Sequence, residues 1–248
     1  MTVRIEAIDE SGQGPIHIVV AGYRARPCEN LVRAAKLSGS TYRVRWAAGS
    51  WAEAGASAGV MARATRVAVP ALHQGRALVG VGSLAGGIGA AAVIGAANFR
   101  IRYATARRDG LRLADEIMKL PGVRTRPLNL IGHSLGTVVV RAALERLSER
   151  PCHIEDVLLM GGMTSRKKWD QHAEMFRGRL VNLYSPWDRV LNVAPVLDRV
   201  VGTGAILCDR LADRLTNHDL CRELPHQLNF WKHHSGYWNS FGRFAIPV

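Results

Sequence analysis

Three features of the sequence predict an α/β fold built on a mostly parallel sheet. Short apolar runs rich in β-branched residues recur along the chain. Amphipathic stretches of helical period separate them, and a serine stands between two glycines where one run gives way to a helix. Strands that alternate with helices are joined by crossovers, which place helices on both faces of the sheet. The 248 residues suit one large domain, and a hydrophobic content of 48% supplies a sizeable core.

The elements follow in order. Residues 16–21 (IHIVVA) read as a central strand ending at Gly22-Tyr23. A helix is expected over 28–37, and the alternating residues 41–46 (TYRVRW) read as the next strand. From Ser50 to Asn98 the composition shifts to Ala and Gly, with Glu53 as the sole acid. The expectation is one domain spanning 1–248 that carries an Ala/Gly-rich helical insertion over 50–100. Residues 103–120 return to an ordinary amphipathic helix, with Leu111, Leu113, Ala114, Ile117, Met118 and Leu120 on one side and Pro121-Gly122 as its stop. A strand at 127–131 and a helix at 135–149 enclose the serine. Residues 155–161 and 179–184 are further strands, ending in Gly161-Gly162 and in Ser185-Pro186-Trp187-Asp188. Residues 205–208 read as a short strand, and 225–248, rich in His and aromatics, shows little periodicity.

Charge and cysteine usage narrow the function classes. Lys and Arg number 33 against 20 Asp and Glu, a net +13 that favours anionic partners such as acidic lipid head groups, or that reflects a compositional bias toward Arg. The basic residues are scattered, are not interleaved with aromatics, and match no nucleic-acid-binding motif, so no nucleic-acid partner is expected. Cys28, Cys152, Cys208 and Cys221 lack CxxC spacing and indicate neither a zinc site nor a redox pair. Residues 1–10 lack the apolar run of a secretory signal; the expected location is cytoplasmic, peripheral to a membrane.

The chemistry is concentrated at Gly132-His133-Ser134-Leu135-Gly136. A serine hydroxyl is a poor nucleophile and must be both exposed and activated. A tight strand-to-helix turn projects its oxygen from the sheet edge, and the close backbone approach demands small flanking residues, here Gly132 and Gly136. The helix that follows aims free N–H groups at the same spot. Ser134 is therefore the candidate nucleophile.

At this motif the chain resembles the α/β-hydrolase superfamily, its lipases and esterases in particular. The likeness in element order covers most of the chain outside the Ala/Gly stretch. The resemblance implies that an acid and then a histidine follow the serine, each on a loop after a later strand. Asp188 stands at such a strand end, in LVNLYSPWDRVL; Asp209 is the alternative, ahead of Asp170, Asp198, Asp213 and Asp219. The histidine comes from HHSGYW, which is similar to an H-S-x-Y-W ending in a little-characterised branch of bacterial and eukaryotic hydrolases. That branch carries its acid in an N-x-Y-S-x-x-D context like the one ending at Asp188, and the carry-over gives His234, with His233 and His226 as alternatives and His218 behind them. The oxyanion donors implied are the backbone N–H groups of Leu135 and Tyr23. No metal or organic cofactor is required.

The expected activity is cleavage of carboxylic esters with hydrophobic acyl groups, as a lipase, esterase or phospholipase. A catalytically silent membrane-associated scaffold of the same fold is the alternative, as is an acyltransferase or thioesterase using the same three residues. Residues 77–99 carry no charge and are long enough to span a bilayer. Their hydrophobicity is diluted by Ala and Gly, so three readings stay open: a lid over the site, a membrane-contacting hairpin, or a flap. The branch resembled includes members with hydrophobic segments at a similar position. Arg63, Arg66, Arg76, Arg100, Arg102, Arg107 and Arg108 flank the stretch and suit anionic head groups.

Overall fold

The computed structural model describes residues 3–22, 29–47, 100–192, 199–224 and 230–244. The chain divides into two units, Met1–Ala48 with Tyr103–Val248, and Gly49–Arg102. The sheet lies wholly in the first. The insertion expected over 50–100 falls outside the described residues, apart from Arg100.

Seven strands form one sheet: β1 (Arg4–Asp9), β2 (Ile16–Val20), β3 (Ser40–Arg45), β4 (Pro127–His133), β5 (His153–Met160), β6 (Leu180–Tyr184) and β7 (Leu215–Asp219). Their spatial order is β1-β3-β2-β4-β5-β6-β7. β1 runs antiparallel to β3, and every other pairing is parallel. This mostly parallel order with an antiparallel first edge matches the α/β-hydrolase plan. The order switches between β2 and β4: from β2 the chain crosses outward to β3, and from β4 it crosses the other way to β5. Open α/β sheets place their ligand sites at the carboxyl ends of the strands beside such a switch.

The described helices bury apolar residues. α1 spans Glu29–Ala34, α2 comprises the helical residues 100–117, and α3 spans Gly136–Leu147. α2 buries Leu113, Ala114 and Ile117, whereas Leu111, expected on that face, is 42% exposed. The difference is geometric: at about 100° per residue Leu111 falls beside Arg112 and Asp115, off the stripe set by positions 113, 114 and 117. Val138, Val139, Ala142, Ala143 and Leu144 bury the inner face of α3.

The C-terminal segment is helical. α5 (Phe230–Ser235) and α6 (Tyr237–Phe244) follow β7, and a short α4 (Arg189–Asn192) follows β6. Tyr237, Trp238 and Phe241 of α6 join Val19, Ile131, Leu158, Leu183 and Val32 in one core cluster. The aromatics of 225–248, which showed little periodicity, thus form a buried stripe at positions 237, 238 and 241.

Both edge strands escaped the sequence reading. β1 (RIEAID) and β7 (LTNHD) are polar and half exposed, and strand signals rest on apolar runs. Residues 205–208 are not a strand; they lead into a 3-10 turn at Asp209–Leu211, and the edge strand comes later, at Leu215–Asp219.

Candidate active site

The site is built at the switch point. β4 ends at His133, and Ser134 adopts φ +54°, a left-handed backbone that residues with a Cβ rarely take. α3 begins two residues later, so the chain reverses within Ser134 and Leu135. Such a turn leaves no room beside it. A Cβ on Gly136 would lie 2.3 Å from the Val20 carbonyl oxygen, and one on Gly22 would lie 2.5 Å from the Ser134 Cβ. Both glycines are there for close approach: the end of β2 is packed directly against the serine.

Three hydrogen bonds to one atom hold the turn. The Ser134 carbonyl oxygen accepts from the Thr137 hydroxyl at 2.7 Å, the Thr137 N–H at 3.1 Å and the Met163 N–H at 3.2 Å. The Met163 N–H is shared with the Thr137 oxygen at 2.9 Å. Strained backbone persists where its surroundings over-determine it, and Thr137 supplies that here. Sequence reasoning passed over Thr137, whose signal is a hydroxyl residue three positions after the serine at the start of a helix.

Ser134, Asp188 and His234 meet. The Ser134 hydroxyl lies 2.8 Å from His234 Nε2, and His234 Nδ1 lies 2.7 Å from Asp188 Oδ2. A carboxylate accepts only, so the ring proton belongs on Nδ1; Nε2 is then the acceptor for the serine O–H. Asp188 is fully buried, and its other oxygen accepts from the Val190 N–H at 3.1 Å and the Leu191 N–H at 3.4 Å. The start of α4 thus keeps the carboxylate satisfied and fixed. Tyr237 approaches from α6: burial first, and then the Asp188 charge, raise its hydroxyl well above the usual range, so it stays protonated.

The alternatives occupy other places. His233 is buried beside His234, but its Nε2 lies 3.1 Å from the Ser185 hydroxyl, tying α5 to the loop that carries Asp188. Asp170 accepts from the Cys208 thiol at 3.0 Å, and Asp209 opens the 3-10 turn at 209–211. His218 sits on edge strand β7 against the Phe244 ring. His226 and Asp198 lie outside the described residues, as does Tyr23, expected as an oxyanion donor. Its neighbour Gly22 is described and abuts Ser134. Leu135 is the N-cap of α3, so its N–H is one of the helix's first donors, with no intrahelical partner.

His133 occupies the position that the G-x-S-x-G motif leaves open. It is buried, and its Nε2–H donates to the His234 carbonyl at 2.9 Å. Its ring centroid is 5.0 Å from that of His234 and 5.3 Å from that of Trp238. Burial, reinforced by the neighbouring His234 and opposed by the bond to the His234 carbonyl, pushes its pKa down to about 3. It is therefore a neutral donor at every pH of interest. A clamp from strand end to helix sets the height of the His234 backbone above Ser134.

Comparisons place the chain among known proteins. Its fold is similar to a dienelactone hydrolase from Anabaena variabilis at TM-score 0.43 and 12% identity, over 98% of this chain and 90% of that one. It is 39% identical over 90 residues to the rice (Oryza sativa subsp. japonica) protein named transmembrane and coiled-coil domain-containing protein STS1, covering 34% of this chain and 13% of that protein. A Caenorhabditis elegans protein named as an uncharacterized membrane protein is 30% identical over 126 residues, 47% of this chain and 20% of the relative. The chain thus matches a fifth or less of the length of these two relatives. Among the described residues, no helix is long and apolar enough to cross a membrane. A family model covers far more of the chain, residues 27–235, and by that match the chain belongs to the family described as protein of unknown function DUF726.

Proposed function

We propose that this chain is a serine hydrolase that cleaves carboxylic esters with hydrophobic acyl groups. One observation carries the reading: a serine strained at φ +54° between strand and helix, hydrogen-bonded through His234 to a buried carboxylate. Structural ion pairs of His and Asp are common, but a structural pair has no reason to end on a strained serine hydroxyl.

The residues divide the chemistry as follows. Ser134 Oγ attacks the ester carbonyl carbon as its proton passes to His234 Nε2. Asp188 stabilises the resulting imidazolium and keeps its Nδ1–H in place. The N–H of Leu135, at the positive end of α3, faces the developing oxyanion, and preorganised donors of this kind contribute on the order of 3–4 kcal/mol each. The tetrahedral intermediate expels the alcohol, which leaves with the proton from His234. Water then repeats the sequence on the acyl-enzyme and regenerates Ser134. The Tyr23 N–H is proposed as the second oxyanion donor because Gly22 packs on the serine.

The acyl group is proposed to be that of a lipid, with the protein peripheral at a membrane. The membrane designation in the names of the two relatives and the net charge of +13 support this reading. The test is hydrolysis of a medium-chain p-nitrophenyl ester by the wild type, Ser134→Ala, Asp188→Asn and His234→Ala. Each variant should lose about 10³–10⁶-fold in kcat while keeping its thermal midpoint within a few degrees. Equal rates in wild type and Ser134→Ala favour the silent scaffold. Acyl transfer to an alcohol or thiol in preference to water would make the enzyme an acyltransferase on the same residues.

A further inference from the structure

The turn that carries Asp188 and the helix that carries His234 both place aromatic side chains in water. Trp187 immediately precedes Asp188 and is 51% exposed, while Phe230 and Trp231, four and three residues before His234, are 42% and 69% exposed. The other described tryptophans, Trp46, Trp169 and Trp238, are buried. An isolated exposed apolar residue such as Leu207 calls for no explanation, but three aromatics on two touching elements do. α4 and α5 pack together, and the Arg189 guanidinium lies 5.0 Å over the Phe230 ring, so the aromatic face carries its own cation.

The backbone beneath holds these side chains outward. The Trp187 N–H is tied to the Ser185 hydroxyl at 3.3 Å, and the Asp188 N–H to the Ser185 carbonyl at 3.1 Å, closing a tight turn. On α5, His233 and His234 are buried, while Phe230 and Trp231 at its start are exposed.

We propose that Trp187, Phe230 and Trp231 form a rim that seats the site on an anionic lipid surface, with Arg189 at the level of the head groups. The inference builds on the esterase reading by naming how a lipid acyl group reaches Ser134; the docking itself requires no turnover. Indole rings favour the membrane–water boundary, where one edge is apolar and the other wet. A cation beside them is attracted to acidic head groups, and the net +13 extends that attraction over the molecule. A protein partner fits less well: a stable protein interface engages roughly 20–30 residues a side, whereas three aromatics suffice as an interfacial anchor.

The test uses the full chain carrying Ser134→Ala, so that vesicles are not consumed. It should co-sediment with phosphatidylcholine–phosphatidylglycerol vesicles more strongly than with phosphatidylcholine alone. Trp187→Ala with Trp231→Ala in that background should weaken binding by about tenfold or more, equivalent to roughly 1.4 kcal/mol. Brominated phosphatidylcholine mixed into the anionic vesicles should quench tryptophan fluorescence, and the conservative pair Trp187→Phe with Trp231→Phe, chosen to preserve folding, should abolish most of that quenching. Absence of binding to anionic vesicles, equal binding by the alanine pair, undiminished quenching in the phenylalanine pair, or self-association without vesicle binding would each overturn the proposal. Vesicle binding by a chain whose wild type shows no ester hydrolysis would instead overturn the esterase reading and leave the rim standing.

Discussion

At Ser134 a left-handed backbone costs on the order of 1–3 kcal/mol, and three hydrogen bonds converging on its carbonyl offset that cost. Thr137 supplies two of the three and in addition accepts from Met163. Thr137→Val keeps the shape and removes the hydroxyl, leaving buried polar groups short of partners. It should lower stability by about 1–3 kcal/mol and reduce ester turnover more than Ser148→Ala, a control on an exposed hydroxyl at the far end of α3. Urea unfolding and initial rates on the same preparations check this. Unchanged stability and rate together would mean that Gly22 and Gly136 alone force the turn. Adjacent His233 and His234 show how finely residue roles divide: both are buried, yet one ring bonds to Ser134 and the other to Ser185.

Among the elements, α6 links the site to the core. The Tyr237 hydroxyl is near enough to feel the Asp188 charge, while Trp238 and Phe241 fill the face between the sheet and α1. Phe241 is fully buried, so Phe241→Ala should destabilise the fold by about 3–5 kcal/mol through lost burial and a residual cavity. A thermal melt followed by circular dichroism measures it. A cost below about 1 kcal/mol would mean that α6 is only loosely docked, since even one buried methylene contributes about 0.8. The central strands β2, β4, β5 and β6 were legible in the sequence because buried parallel strands are written as apolar runs. β1 and β7 were not, since an edge strand is protected from mispairing by the polar residues that hide its signal. The elbow was legible from local spacing, but Asp188 and His234 were chosen among several candidates by resemblance. Sequence spacing cannot show which of several strand ends or neighbouring histidines faces a serine far away in the chain, 100 residues in the case of His234. His133 and Thr137 stayed invisible for the same reason, as their partners are backbone carbonyls that no side-chain pattern encodes.

Across the whole molecule, several histidines are buried in neutral form. Burial lowers the pKa values of His17 and His172, and pushes that of His133 down to about 3. An unfolded histidine titrates near 6.5, so below that pH the unfolded chain binds protons that the folded chain refuses. Stability from these groups is complete above about pH 6.5 and is lost progressively as pH falls toward their folded values. The urea midpoint should therefore drop between about pH 7 and about pH 5, and His133→Gln should make that slope shallower. An equal slope in the variant would show that His133 titrates normally. The larger question is whether the assembled molecule is an enzyme or a scaffold that keeps an enzyme's fold. A fluorophosphonate probe answers it most directly, because it reacts covalently only with a serine activated as a nucleophile. We predict stoichiometric labelling of the wild type, with the adduct mapped by peptide mass spectrometry to Ser134, and its loss in Ser134→Ala and His234→Ala. A correctly folded wild type that takes up no probe, or carries it on another serine, would contradict the account.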